Sequence, residues 1–268
     1  MPPVNPLPAA VPGPDTAVEI FLRRERLWIV TGLIAACLMC WAWIVPMALD
    51  MYGSMHGPSS WMMADTPLLR HGTLLFAMWT VMMAGMMLPS AAPTLLLFTM
   101  VVRSHDAANA PSRAYSFLGG YLLVWTAFSL AATLLQLLLG ALLYLSPMMQ
   151  LRGQVLSAAL VLVAGAYQLT PTKRSCLTTC RAPAAFLARY YRPGNSAAFS
   201  LGVRHGGYCV GCCWALMLLL FVAGVMNLAA IAAIAVFVLL EKMMPLGAQG
   251  GRLSGLLLIA CGALLLLR

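Results

Sequence analysis

Long apolar runs, broken by short polar or basic stretches, make up most of this chain. Seven such runs stand out, at about 27–49, 72–88, 115–144, 154–169, 208–225, 228–240 and 253–267. A helix that crosses a bilayer needs about 20 mostly apolar residues. The pattern therefore predicts an all-α fold, a polytopic transmembrane helix bundle of about seven helices, or six if the short sixth and seventh runs do not both span. Pro89 and Pro93 are expected to kink or end the second helix, because proline cannot donate to the helical ladder, with 95–102 extending it past the kink. Residues 1–26 form a separate tail. Its first part, 1–18, is rich in proline and reads as disordered. Its second part sets Arg23, Arg24 and Arg26 against Glu19 and Glu25 and is expected at the membrane surface. Nothing in the tail has the layout of a secretory signal, since no basic segment precedes an apolar core there. The remainder, 27–268, reads as one transmembrane domain carrying a cytoplasmic, cysteine-bearing loop at 170–207.

Composition agrees with this pattern. Of the 268 residues, 62% are hydrophobic and 9% charged, against about 25% charged in soluble domains. The net charge of +9 does not point to nucleic acid, because no basic surface domain is left over to host it. The basic residues lie between the apolar runs. Thirteen of the sixteen fall on one side: Arg23, Arg24, Arg26, Arg103, Arg113, Lys173, Arg174, Arg181, Arg189, Arg192, Arg204, Lys242 and Arg252. Arg70, Arg152 and Arg268 fall on the other. The positive-inside rule then puts the N-terminus and the 170–207 loop in the cytoplasm. With seven helices the C-terminus lies outside.

Five of the eight cysteines, Cys176, Cys180, Cys209, Cys212 and Cys213, crowd into fewer than 40 residues. Cytoplasmic thiols stay reduced, so such a cluster reads as metal-binding or redox-active rather than as disulfides. Cys176 and Cys180 are spaced i, i+4 and share a face if 171–181 is helical. His205 and Cys209, and Cys209 and Cys213, have the same spacing, although Gly206, Gly207 and Gly211 weigh against helix there. Two cysteine pairs supply four sulfurs, a number that suits zinc or an iron–sulfur cluster, and two or three of them suit Cu(I). Arg174, Arg181 and Arg204 are expected nearby to favour thiolates. His205 reads either as a further ligand or as a polar residue satisfied at the interface. Cys37, Cys40 and Cys261 sit inside apolar runs and read as small packed hydrophobes.

Methionine is abundant, at 19 residues. Met78, Met82 and Met86 recur at i, i+4, i+8 in the second run, with Met83 and Met87 beside them. Each taken alone reads as adaptable packing. Together they also make a thioether face able to pass Cu(I), a soft ion that prefers sulfur. In the outer loop, Met51, Met55 and His56 offer a second set of copper donors. Glu241 and Lys242 close the sixth run and are expected to snorkel to the interface or pair locally.

Three stretches carry a family resemblance: WTVMMAGMMLPSAAP (79–93), KRSCLTTCRAP (173–183), and GGYCVGCCWALM with the later GVMNL and EKMMP (206–245). Over about 75–250 the chain resembles a bacterial family of metal-binding integral membrane proteins with a domain-of-unknown-function label, whose members are described as copper chaperones. The resemblance implies a multi-pass protein of the bacterial inner membrane with a metal site. It carries the metal role onto Cys176, Cys180, Cys209, Cys212 and Cys213, with Trp79, Met82, Met83, Met86, Met87 and Glu241 as further family-type positions. Ala229 and Ala230 depart from the bulkier residues expected in relatives.

Three functions follow as expectations. The first is Cu(I) handling through the cysteine cluster at the cytoplasmic face, with delivery to or from a protein partner. The second is membrane thiol–disulfide exchange. The third is a zinc or iron–sulfur site that only holds helices together. Seven acidic residues in all, with no nucleophile–base pair and no phosphate loop, point away from hydrolase chemistry.

Overall fold

The computed structural model describes residues 17–53, 68–146, 149–244 and 247–267, with side chains from residue 27 onward except 247 and 248. The tail 1–16 and the outer-loop positions Met55 and His56 lie outside the described residues. Among the described residues there are ten helices and no strand, only an isolated bridge between Leu145 and Leu151. In chain order they are α1 (Ala17–Tyr52), α2 (Leu68–His105), α3 (Ala110–Ala141), α4 (Gln154–Leu169), α5 (Pro171–Arg181), α6 (Pro183–Tyr190), α7 (Asn195–Leu218), α8 (Leu220–Ala223), α9 (Leu228–Met243) and α10 (Gly247–Leu267).

Each of the seven apolar runs lies mostly in helix. Five helical segments are long and apolar enough to cross a membrane: Leu27–Tyr52, Leu68–His105, Ala110–Ala141, Asn195–Ala223 and Gln249–Leu267. A sixth arises if α4 and α5 count as one broken span, bent by 63°. At 16 residues, α9 is about 24 Å long at 1.5 Å per residue, short of a 30 Å hydrocarbon layer. The architecture is thus an all-α bundle with the composition of a membrane protein. α2 is its most buried spanning helix and α1 its most peripheral.

Three local features depart from the sequence reading. First, α2 does not end at Pro89 or Pro93 but continues through both to His105. Pro89 deprives the carbonyl of Gly85 of its helical donor, and Cys37 Sγ of α1 donates to that oxygen at 3.4 Å. Second, the stretch 170–207 is mostly helical, not a loop. Thr170 is extended, as a residue before proline prefers, and its side chain accepts from Lys173 N at 3.2 Å, capping α5. Third, α7 begins at Asn195 and passes through all three glycines at 206, 207 and 211. Cys209 therefore lies 14 residues into α7, about 21 Å along its axis, not in a first turn.

The glycines explain why this helix is tolerated. α7 packs most extensively on α3. A Cβ at Gly202 would lie 1.9 Å from Phe117 O, and one at Gly120 would lie 2.2 Å from Phe199 O. Backbone meets backbone at this crossing, so small residues are required, as in close-packed membrane helices. Closer to the cluster, Gly206 faces Val124 and the carbonyl of Tyr121.

Candidate metal site

The site lies where α2, α3, α5, α7 and α9 converge. α7 contributes Cys209, Cys212 and Cys213, each 1% exposed. Their spacing of three and four residues turns them to one side of the helix. On α5, Lys173, Cys176, Leu177 and Cys180 follow the same rule and make its inward face. Cys176 Sγ would stand 2.8 Å from a Cβ at Gly211, so that glycine opens the room the sulfur occupies. The Cys180 thiol interacts directly with that of Cys212. Sulfurs from two sequence-distant segments thus meet. All of the cysteines are free.

The thiols are not splayed toward a common centre. Cys212 Sγ and Cys213 Sγ each donate to the carbonyl of Cys209 at 3.0 Å, the back-bonding that short polar side chains make within helices. Cys209 Sγ meets the Cys213 thiol and also lies 3.2 Å from Tyr121 Oη, 3.9 Å from Ser90 Oγ and 2.9 Å from Lys242 Nζ, which donates to it. Tyr121 donates its hydroxyl to Met87 O at 3.0 Å. Accordingly, among the described residues no three His, Cys, Asp or Glu side chains are arranged to hold a metal ion. The residue chemistry nevertheless fits a soft ion: four thiols share one small region, and the back-bonded pair is held by side-chain torsions.

Two of the arginines expected beside the thiols point elsewhere. Arg181 donates to Met244 O, and the Arg204 guanidinium lies 4.4 Å from the Tyr190 ring centroid. Lys242 takes the place foreseen for them. It does not snorkel outward as the sequence suggested. Glu241 beside it pairs locally with Lys173 across α9 and α5, at 2.5 Å, and Gln168 also accepts from Lys173.

His205 is buried in α7, with its ring against Phe117, Tyr121 and Phe186 at centroid distances of 5.9, 5.7 and 5.4 Å. Its Nδ1 is buried without a hydrogen-bond partner. The ring makes no hydrogen bond to a thiol among the described residues.

Met78, Met82, Met83, Met86 and Met87 are buried, and so is Met51 at the end of α1. All belong to the same apolar cluster as Cys209, Cys212 and Cys213. Trp79, on the same helix, donates Nε1 to Gln136 Oε1 at 2.6 Å. Cys40 and Cys37 pack α1 on α2 around Gly85, and Cys261 is exposed on the outer surface of α10.

Ser90 and Tyr121 were not singled out by the sequence, and Lys242 was read only as a residue that snorkels or pairs locally. A lysine closing an apolar run, with an acid before it and a second lysine in the cysteine-bearing segment, was the one available signal. A family model described as PpoB2, copper chaperone, matches residues 76–265. No curated protein and no solved structure matches the chain.

Proposed function

The chain belongs to the PpoB2 copper-chaperone family, and from that premise we propose that it carries Cu(I) as cargo on the thiols of Cys180, Cys209, Cys212 and Cys213, with Cys176 at the entrance. The convergence of α5 and α7 thiols is the observation that supports this reading most. Two or three sulfurs suffice for Cu(I), and soft thiolates select it over harder ions. Loading would turn Cys212 and Cys213 from the Cys209 carbonyl onto the ion, which takes side-chain rotation rather than a new fold. Met82, Met83, Met86 and Met87, continued by Met78 and Met51, form the thioether route by which the ion reaches or leaves the thiols. Met78, Met82 and Met86, and likewise Met83 and Met87, follow one another at four-residue spacing along α2, about 6 Å of helix per step. His205, packed within Phe117, Tyr121 and Phe186, stays outside this donor set.

The excess of basic residues between the apolar runs supports a multi-pass protein of the bacterial inner membrane with its N-terminus and the 173–204 stretch in the cytoplasm. A reporter fused within 173–204 is expected to score as cytoplasmic, and a periplasmic score would overturn that orientation. A chaperone hands its cargo to a protein partner, which would dock near α5, the helix that covers the thiols.

Elemental analysis of detergent-purified protein after anaerobic Cu(I) loading tests the site. Wild type should retain copper, and Cys209→Ser or Cys212→Ser should lose most of it. Copper retention by a folded Cys209→Ser/Cys212→Ser double variant would overturn the assignment.

A further inference from the structure

The site holds two amines and one carboxylate. Lys173 and Glu241 cancel each other at 2.5 Å, with side chains 2% and 4% exposed. Lys242, the next residue along α9, has no carboxylate partner among the described residues. Its Nζ rests on Ser90 Oγ at 3.0 Å and on Cys209 Sγ at 2.9 Å. The remaining groups around that sulfur are the Tyr121 hydroxyl and the thiols of Cys180, Cys212 and Cys213, none carrying a fixed charge. The pocket therefore begins with one unbalanced positive charge aimed at a cargo ligand.

We infer that Lys242 is the residue that selects the charge type of the cargo, accepting a monovalent soft ion held by two thiolates. This inference rests on the copper reading above and deepens it. The charges decide the matter. Cu(I) on two thiolates carries +1 − 2 = −1, which the Lys242 ammonium neutralises. Zn(II) on four thiolates carries +2 − 4 = −2 and leaves one negative charge uncompensated. Zn(II) on two thiolates is neutral and leaves the ammonium uncompensated. In a water-poor interior either imbalance is costly, because an unpaired charge loses its hydration without a partner. Zn(II) reaches −1 only with three thiolates and a neutral fourth donor to complete its tetrahedron. The imidazole one turn before Cys209 is not poised for that role, since His205 is packed within Phe117, Tyr121 and Phe186.

Geometry adds to the charge argument. Lys242 approaches Cys209 from α9, while Cys180 approaches Cys212 from α5. An ion bridging Cys209 to a second sulfur would keep the ammonium against its outer side. The lysine acts on the ion through Cys209, as a positioning and charge-compensating group, and is not itself a ligand.

The test uses the full chain in detergent or nanodiscs, with Cu(I), Ag(I) and Zn(II) as the ions added. Affinities are measured by competition with chromophoric chelators, and folding by helical circular dichroism and melting. Lys242→Gln should lower Cu(I) and Ag(I) affinity at least about tenfold. Zn(II) affinity should fall less or rise, so the preference for the monovalent ion collapses. Lys242→Arg, which keeps the charge, should restore most of that preference. Lys242→Leu, which brings no donor atom to the ion, provides a second neutral variant should Lys242→Gln fold poorly. A folded neutral variant with the wild-type Cu(I)-to-Zn(II) preference overturns the inference, as does a folded Lys242→Arg no better than Lys242→Gln. In either case the copper reading survives. A wild type that binds no Cu(I) overturns both.

Discussion

Lys173 of α5 and Glu241 of α9 form an ion pair at 2.5 Å that is almost wholly withdrawn from solvent. It fastens the short helix bearing Cys176 and Cys180 to the far side of the site. Removing one partner of a buried pair strands the other charge, a loss of about 3–5 kcal/mol. Lys173→Met or Glu241→Leu alone should therefore lower the melting point strongly. The double variant should recover much of the loss, giving a clear coupling term in a double-mutant cycle. Additive losses would show that the pair does not hold α5 in place.

The α3–α7 crossing makes a sharper steric prediction. Gly202→Ala drives a methyl against the carbonyl of Phe117, which is backbone and cannot swing aside. Overpacking of this sort costs about 1–3 kcal/mol or more, so this variant should melt earlier and disturb the register of Cys209. Gly207→Ala, about one and a half turns further along and on the open side of the same helix, meets nothing within 4 Å. It should be neutral or stabilising by about 0.5–1 kcal/mol. Equal melting of the two variants would contradict the crossing.

Cys37 has a role that its apolar surroundings concealed. Its thiol donates to the Gly85 carbonyl freed by Pro89. Cys37→Ala leaves that oxygen without its donor, at a cost of about 1–3 kcal/mol, whereas Cys37→Ser should keep most of the stability. Neither change should alter bound copper. Cys261→Ser, on the outer surface of α10, is the control and should stay within about 0.5 kcal/mol. Loss of copper in Cys37→Ala at unchanged stability would instead place this cysteine on the cargo's path.

The methionine face separates packing from passage. Met82→Leu and Met86→Leu nearly conserve volume, so each should cost under about 1.5 kcal/mol. If thioethers relay the ion, the double variant reconstituted in vesicles should load its thiols several-fold more slowly from the opposite side. Its copper content at equilibrium should match wild type. An unchanged loading rate would assign these methionines to packing alone.

Much of the fold was legible in the chain because hydrophobic run length is a one-dimensional signal. Each of the seven runs lies mostly in helix, and the break at Thr170-Pro171 falls where a proline forces it. That α2 does not end at its prolines, and that α7 stays helical through its glycines, have a common reason. Local propensity disfavours helix at those residues. Neighbouring helices reverse the balance by supplying a donor to a freed carbonyl or by approaching closely enough to need the missing side chain.

The sequence by itself determined that the chain is a helical bundle built for lipid, and that Cys176, Cys180, Cys209, Cys212 and Cys213 lie on helix faces able to meet. Spacing along a helix fixes which side chains share a face, and that much needs no neighbours. Only the tertiary structure decided which face meets which. It turned Lys242 rather than an arginine onto Cys209, joined Lys173 to Glu241, and wrapped His205 in aromatic rings. These are contacts between different helices, set by how the bundle packs. No local pattern encodes that packing.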